Sequence, residues 1–292
     1  ETMTADNIMK ALLMFSANDA AYMIADNLAG DATSYAKVMN DKLQKLNMKS
    51  SNFVTPNGIH NDEHYTTPYD MTLLGREAYK NPWVKEVMGL KQDIIRFSDG
   101  KTHITDNSNK LIQQDGCVGG KTGYTDKAGR CLIAMYERNG RTILGVVMKS
   151  VYDANDTYVF KDMKTIIDWS YSAKQTGIKK ANDVMETVSL TYKPLKYFGP
   201  EKTVSVPIII KEDVSYYEND VNKKELKTST ELSTMDPWIL STDTEVGKFN
   251  MSQREVNKTY KLYPTVDTKQ IVESNKKFYT FCIAGLVTII LV

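Results

Sequence analysis

The chain has 292 residues, 41% of them hydrophobic and 25% charged, enough to bury a sizeable core and to divide into two domains. A net charge of +1, with no basic run interleaved with aromatics, speaks against nucleic acid as a partner. Three histidines and three cysteines show no metal-ligand spacing, so no metal site is expected.

Thr4 is placed to cap a helix reaching to about Met14, with Ile8, Met9, Leu12 and Leu13 on its buried side. Phe15-Ser16-Ala17-Asn18 interrupts it, and Asp19 starts a second helix that Gly30 ends. A third follows from about Ala32, carrying Tyr35, Val38, Met39, Leu43 and Leu46 at helical spacing. Residues 50–67 form a polar loop with Pro56, Asn57-Gly58, His60 and His64, both histidines serving as structural hydrogen-bonding groups. Residues 70–79 are a short helix with Asp70 at its N-cap, and Pro82 opens another. Strand-like pieces and turns fill residues 93–116.

Residues 131–136 read as a strand, Asn139-Gly140 as a type I′ turn and residues 141–149 as the returning strand. Lys121-Thr122-Gly123 therefore sits on the strand before a hairpin of an antiparallel sheet. Cys117 and Cys131 fall at opposite ends of that strand pair, too far apart to bridge, and read as free thiols. Residues 158–172 close the domain as an amphipathic helix with Val159, Phe160, Met163, Ile166 and Ile167 inward.

After Gly177 the texture changes. From about 181 to 269 short β-rich pieces (187–192, 202–206, 208–210) alternate with turns, as in a separate all-β domain of small-sandwich type. The last 15 residues, 278–292, are apolar all round. They are short of the roughly 20 that cross a bilayer and read as the first part of a membrane helix, the alternative being a buried terminal element. Both ends of the chain read as cut. The expected division is 1–177, 178–272 and 273–292.

Two motifs carry the chemistry. Ser16-Ala17-Asn18 lies on a helix-to-helix turn, and Lys121-Thr122-Gly123 on a strand; in this order they match the second and third signatures of penicillin-recognising serine enzymes. Ser16 and Asn18 resemble the Ser-x-Asn region of the serine-type D-alanyl-D-alanine carboxypeptidases, the low-molecular-weight penicillin-binding proteins. His64-Tyr65-Thr66-Thr67-Pro68-Tyr69-Asp70 resembles that family's His-x-Thr-Thr-x-x-Asp stretch. The run from Gly120 through Arg130 to Leu132 matches its third motif nearly throughout.

The resemblance implies an α+β fold of the penicillin-binding-protein and serine β-lactamase type, an antiparallel sheet flanked by helices, then a β-sandwich and a membrane anchor. It implies a bacterial enzyme on the outer face of the cytoplasmic membrane that trims peptidoglycan stems ending in D-Ala-D-Ala and is acylated by β-lactams, without a cofactor. Ser16 would relay a proton, Asn18 would hold the substrate backbone, Lys121 would supply charge, and Thr122 would donate to the terminal carboxylate. Gly123 would leave the strand edge open. A D,D-endopeptidase or β-lactamase on the same scaffold, or a non-catalytic wall-binding relative, are the other readings. Tyr124 stands where some relatives carry His.

One element departs from the pattern. The Ser-x-x-Lys motif that carries the nucleophile is expected before Ser16 and is not present there. Ser34-Tyr35-Ala36-Lys37 comes after Ser16, in the wrong order, and Ser274-Asn275-Lys276-Lys277 precedes the apolar tail, so neither is expected to react. The chain is expected to be inactive by itself.

Overall fold

The computed structural model describes residues 2–155, 157–254 and 256–291, with side chains through Ile289. Glu1, and Val292 at the end of the expected apolar tail, lie outside the described residues. The chain divides into two compact units, Glu1–Ser172 and Ala173–Val292. The division falls ahead of residue 177 because β6, Lys174–Lys179, pairs with β9, Val214–Glu218, inside the second unit.

In the first unit α1, Ala5–Lys10, starts where the Thr4 hydroxyl accepts the Asn7 amide. The expected helix to Met14 changes winding at Ala11. Residues Ala11–Phe15 are π-helical, and the Ser16 amide closes the segment by bonding to the carbonyl of Ala11, five residues back. Next come α2, Asn18–Ala29, ended by Gly30, and α3, Ala32–Lys45. Helices α4, Pro68–Tyr79, and α5, Pro82–Met88, both open on proline, whose missing N–H costs nothing in a first turn. Thr67, and not Asp70, is the N-cap of α4: its hydroxyl accepts the Asp70 amide at 3.1 Å. Asp70 instead turns its buried carboxylate to the loop, accepting from the Ser50 amide at 2.9 Å and the Ser51 hydroxyl at 2.7 Å.

Strands β1, Gln92–Arg96, and β2, Thr102–Asp106, form a hairpin. The central sheet has the order β3, Cys117–Thr125; β4, Gly129–Arg138; β5, Arg141–Ser150, all antiparallel. Alternation assigns its two faces. Leu132, Ala134 and Tyr136 pack with Val159, Phe160, Met163 and Ile167 of α6, Tyr158–Ser172. Ile133 and Leu144 turn the other way and lie against the backbone of Gly75 in α4. Ile166, expected inward on α6, is 37% exposed, because at 100° per residue it falls on the edge of the buried stripe. Cys117 pairs with Tyr136 and Cys131 with Gly123, at opposite ends of the strand pair, and both thiols are free.

In the second unit a five-stranded sheet has the order β10 (Lys227–Leu232), β11 (Gly247–Gln253), β12 (Val256–Pro264), β8 (Lys202–Ile210), β7 (Val184–Tyr192). With β6 and β9 it shares one core, in which Val206, Ile208, Ile210, Val214 and Leu262 are buried. Pro207 joins two expected short strands into one. Its carbonyl accepts from Thr265, so its missing N–H points to the β12 side just where that ladder stops at Pro264, and no pairing bond is lost. The expected absence of helix here meets one exception, α7, Asp220–Glu225, which buries none of its residues.

A capping box on Asp267 opens α8, Thr268–Ser274, and α9, Lys276–Leu291, follows. The latter is helical over 16 residues. Among the described residues no helix is long and apolar enough to cross a membrane, so the expected spanning anchor is not displayed.

Candidate active site

β3 is an edge strand, and its free side faces an open groove of about 700 Å³ lined by Ser16, Asn18, Ser108, Lys121, Thr122 and Gly123. All five residues singled out from the sequence lie along it. The tightest link spans 105 residues of chain: the Lys121 ammonium donates to the Ser16 hydroxyl at 2.8 Å, and to the carbonyl of Thr122 at 2.8 Å. Asn18, the first residue of α2, lines the groove beside Ser16.

The turn that aims Ser16 is unusual. Ser16 has φ 70° and ψ 40°, the left-handed region, directly after the π-helical turn. A residue with a Cβ pays roughly 1–2 kcal/mol there. The strain accompanies a hydroxyl turned to a lysine across the groove.

Lys121 is half-buried, and burial lowers its pKa to about 8. No carboxylate among the described residues lies within ion-pairing reach to offset that desolvation. At neutral pH the side chain is mainly charged, and it approaches half-neutral one pH unit higher. An ammonium with a third donor to spare, beside an open groove, is suited to an anionic ligand and to proton exchange with a neighbouring hydroxyl.

Two glycines of β3 differ in what surrounds them. A Cβ on Gly120 would lie 2.5 Å from Asn109 Nδ2 and 2.6 Å from the Ile133 carbonyl. A Cβ on Gly123 would meet nothing nearer than Cys131 Cβ at 4.0 Å. The first is required by packing. The second leaves the rim of the groove low, where an extended peptide could add to the strand edge.

Ser108 was not singled out from the sequence. Its hydroxyl is 2.6 Å from that of Thr122, and its amide donates to the Met14 carbonyl, tying the groove floor to the π-helical turn. Its signal was weak, since Asn107-Ser108-Asn109 reads as ordinary turn composition.

The opposite wall is the loop before α4. His64 is stacked on Phe53 with centroids 5.0 Å apart, and its Nδ1 accepts from the amides of Val54 and Thr55 at 3.3 Å. Burial, and then the nearby charge of His60, push its pKa down, which keeps that nitrogen an acceptor. His60 bonds to Asp62 at 2.9 Å, and Lys127 reaches the same carboxylate at 3.2 Å. Beyond Gly123, the Tyr124 hydroxyl donates to Asp126 at 2.8 Å, and Arg130 lies over the Tyr124 ring at 4.1 Å. Behind the strand an apolar cavity of about 460 Å³, lined by Leu74, Ala78, Met88, Ile133 and Leu144, reaches Lys121 and Thr122.

Residues 1–151 match the family model of D-alanyl-D-alanine carboxypeptidases. The chain is similar to the D-alanyl-D-alanine carboxypeptidase DacF of Bacillus subtilis, 31% identical over 236 residues, which cover 80% of this chain and 59% of that protein. It is also similar to penicillin-binding protein D2 of Listeria monocytogenes in its ampicillin-bound form. There the TM-score is 0.52 at 30% identity, over 59% of this chain and 69% of that one. The D-alanyl-D-alanine carboxypeptidase DacD of Francisella tularensis shares the fold over 91% of this chain and 75% of its own, with TM-score 0.61 at 17% identity. The chain thus spans less than two thirds of the curated relatives it matches, 59% of the Bacillus subtilis protein and 58% of a Mycobacterium tuberculosis one.

Proposed function

The chain belongs to the D-alanyl-D-alanine carboxypeptidase family, and we propose that it works in an enzyme that removes the terminal D-Ala from peptidoglycan stem pentapeptides. The observation that carries this is the Lys121–Ser16 contact at an open strand edge, with the Thr122 hydroxyl beside it. A serine oxygen attacks the carbonyl between the two D-alanines, the C–N bond breaks as the amine takes up a proton, and water then hydrolyses the ester. Penicillins acylate the same serine, and their ester persists.

In this scheme Ser16 relays the proton to the leaving amine, and Lys121 polarises Ser16 while placing positive charge near the substrate carboxylate. Thr122, oriented by Ser108, donates to that carboxylate. Asn18 bonds the substrate backbone, which lies along β3 past Gly123. The step calls on no metal or organic cofactor.

The nucleophile comes from a segment outside this sequence. Neither serine lining the groove, Ser16 or Ser108, has a lysine three residues later. The chain alone is then inactive. The first unit processes substrate. Helix α9 supplies a C-terminal hold on the outer face of the cytoplasmic membrane, supported by the exposure of Phe281, Ile283, Leu286 and Ile289.

Gel labelling with a fluorescent penicillin tests the assignment, with this chain run beside the complete reading frame. Labelling of the longer protein only is the expected result. If neither labels, the carboxypeptidase proposal fails. If the chain itself labels, the outside nucleophile is wrong, and Ser34 is the first serine to replace.

A further inference from the structure

The loop between β7 and β8 carries two neighbouring exposed aromatic side chains. Tyr197 is 71% exposed and Phe198 72%, at the tip of a turn closed by a bridge between Leu195 and Phe198. Such large side chains left in water at a tight tip mark a contact surface. The loop carries Lys193 and Lys196 and α9 opens on Lys276 and Lys277, against the acids Glu201 and Glu273, while Lys202 is turned inward to Asn275.

The loop is built onto the first turn of α9. The Tyr279 hydroxyl donates to the Pro194 carbonyl at 2.8 Å, and Lys202 Nζ lies 5.6 Å from the centre of the Phe278 ring. The backbone of Gly199 comes so near Phe278 that a Cβ would sit 3.5 Å from the ring. Below this, Asn275 joins Lys202, Tyr192 and Ile271. The aromatic tip is therefore held at the level where α9 passes from lysine to continuous apolar sequence.

That level is where a bilayer places its headgroups if α9 enters the membrane. Aromatic side chains flanked by lysines are the composition that favours this boundary, the rings among the acyl–headgroup junction and the ammonium groups on lipid phosphates. We propose that the β7–β8 loop is a second membrane contact, in which Tyr197 and Phe198 insert at the interface and the lysines engage anionic lipid. It rests on the reading of α9 as the membrane hold. The loop would then fix how the second unit stands on the bilayer, which one flexible tether cannot do.

The test uses the full 292-residue chain, with Cys131→Ser and Cys282→Ser as background, and vesicles of phosphatidylcholine with phosphatidylglycerol. An environment-sensitive fluorophore is attached at Phe198→Cys, or at Ser229→Cys on β10, the opposite edge of the sheet, as control. Expected are co-sedimentation, a blue shift at 198 with quenching by headgroup-level spin-labelled lipid, and no change at 229. Replacing Tyr197 and Phe198 together by serine should weaken partitioning about tenfold. Co-sedimentation with a water-like signal at 198 overturns the loop contact and leaves the α9 reading standing. Failure to co-sediment overturns the α9 reading, and the loop proposal with it. Equal binding to phosphatidylcholine alone overturns the role given to the lysines.

Discussion

Lys121 in the first unit and Asn275 in the second each join segments that are far apart in the chain. Asn275 is 1% exposed, its carbonyl oxygen accepts from Lys202 at 2.6 Å, and its amide donates to Tyr192 and Ile271 at 2.8 Å. Its hydrogen-bonding capacity is spent on the protein. Lys121 uses two of its three donors, on Ser16 and Thr122, bears a desolvation cost that no carboxylate among the described residues offsets, and opens on a groove. A closed, satisfied polar hub holds a fold together; an open one whose charge is disfavoured is kept for something that comes and goes.

The sharpest way to break this contrast is Lys121→Met in the complete reading frame. Penicillin acylation should fall by about 100- to 1,000-fold, as when one preorganised donor is removed from a catalytic site, while thermal stability holds or rises. A loss of stability matching the loss of acylation would make Lys121 a hub like Asn275. The pH dependence sharpens the point. Burial sets the folded pKa near 8, below the ordinary lysine value of 10.5, so the folded state releases its proton first. Stability should therefore rise from about pH 8 towards pH 10.5 as the desolvation cost is relieved, and acylation that needs the charge should decline from pH 8. Lys121→Met should remove its share of both trends, measured by denaturant unfolding and by labelling rate.

Asn275→Ala is the complementary break. It leaves buried groups of Tyr192 and Ile271 without their partner and should cost about 2 kcal/mol in the second unit, measured by urea unfolding, with labelling unchanged. Two glycines repeat the contrast within β3. Gly120→Ala should cost about 1–3 kcal/mol, because the added methyl overlaps Asn109 and the Ile133 carbonyl. Gly123→Ala should leave unfolding where it is and slow acylation, because the methyl stands only in the groove.

Both motifs were legible in the sequence because their signals are local: the hairpin signal around Asn139-Gly140 put Lys121-Thr122-Gly123 on the strand before it. Helix starts at Thr4 and Pro82 were equally readable from capping and proline, whereas α4 opens at Pro68, two residues ahead of the expected start at Asp70. What was not readable depended on partners far away. Asp70 looks like a cap until Ser50 and Ser51 are seen to claim its carboxylate. Ser108 looks like turn filler until it meets Thr122. The π-helical turn has no composition of its own, since Ala-Leu-Leu-Met-Phe favours an ordinary helix. It arises because the chain must leave α1 and aim Ser16 within one turn.

That turn makes the smallest prediction and the most specific one. Ser16→Gly and Ser16→Ala both delete the hydroxyl that Lys121 bonds, so both should lose acylation alike. Their stabilities should differ. At φ 70° alanine keeps the clash of Cβ with the backbone, whereas glycine is free of it, so the glycine variant should be the more stable by about 1 kcal/mol. In an ordinary helical conformation the order reverses, alanine being favoured by about 0.5–1 kcal/mol. Denaturant unfolding of the pair therefore reads the backbone at residue 16 through a sign and not a magnitude. An alanine variant more stable than glycine would mean that Ser16 continues the helix, and that the hydroxyl reaches Lys121 without a strained turn to aim it.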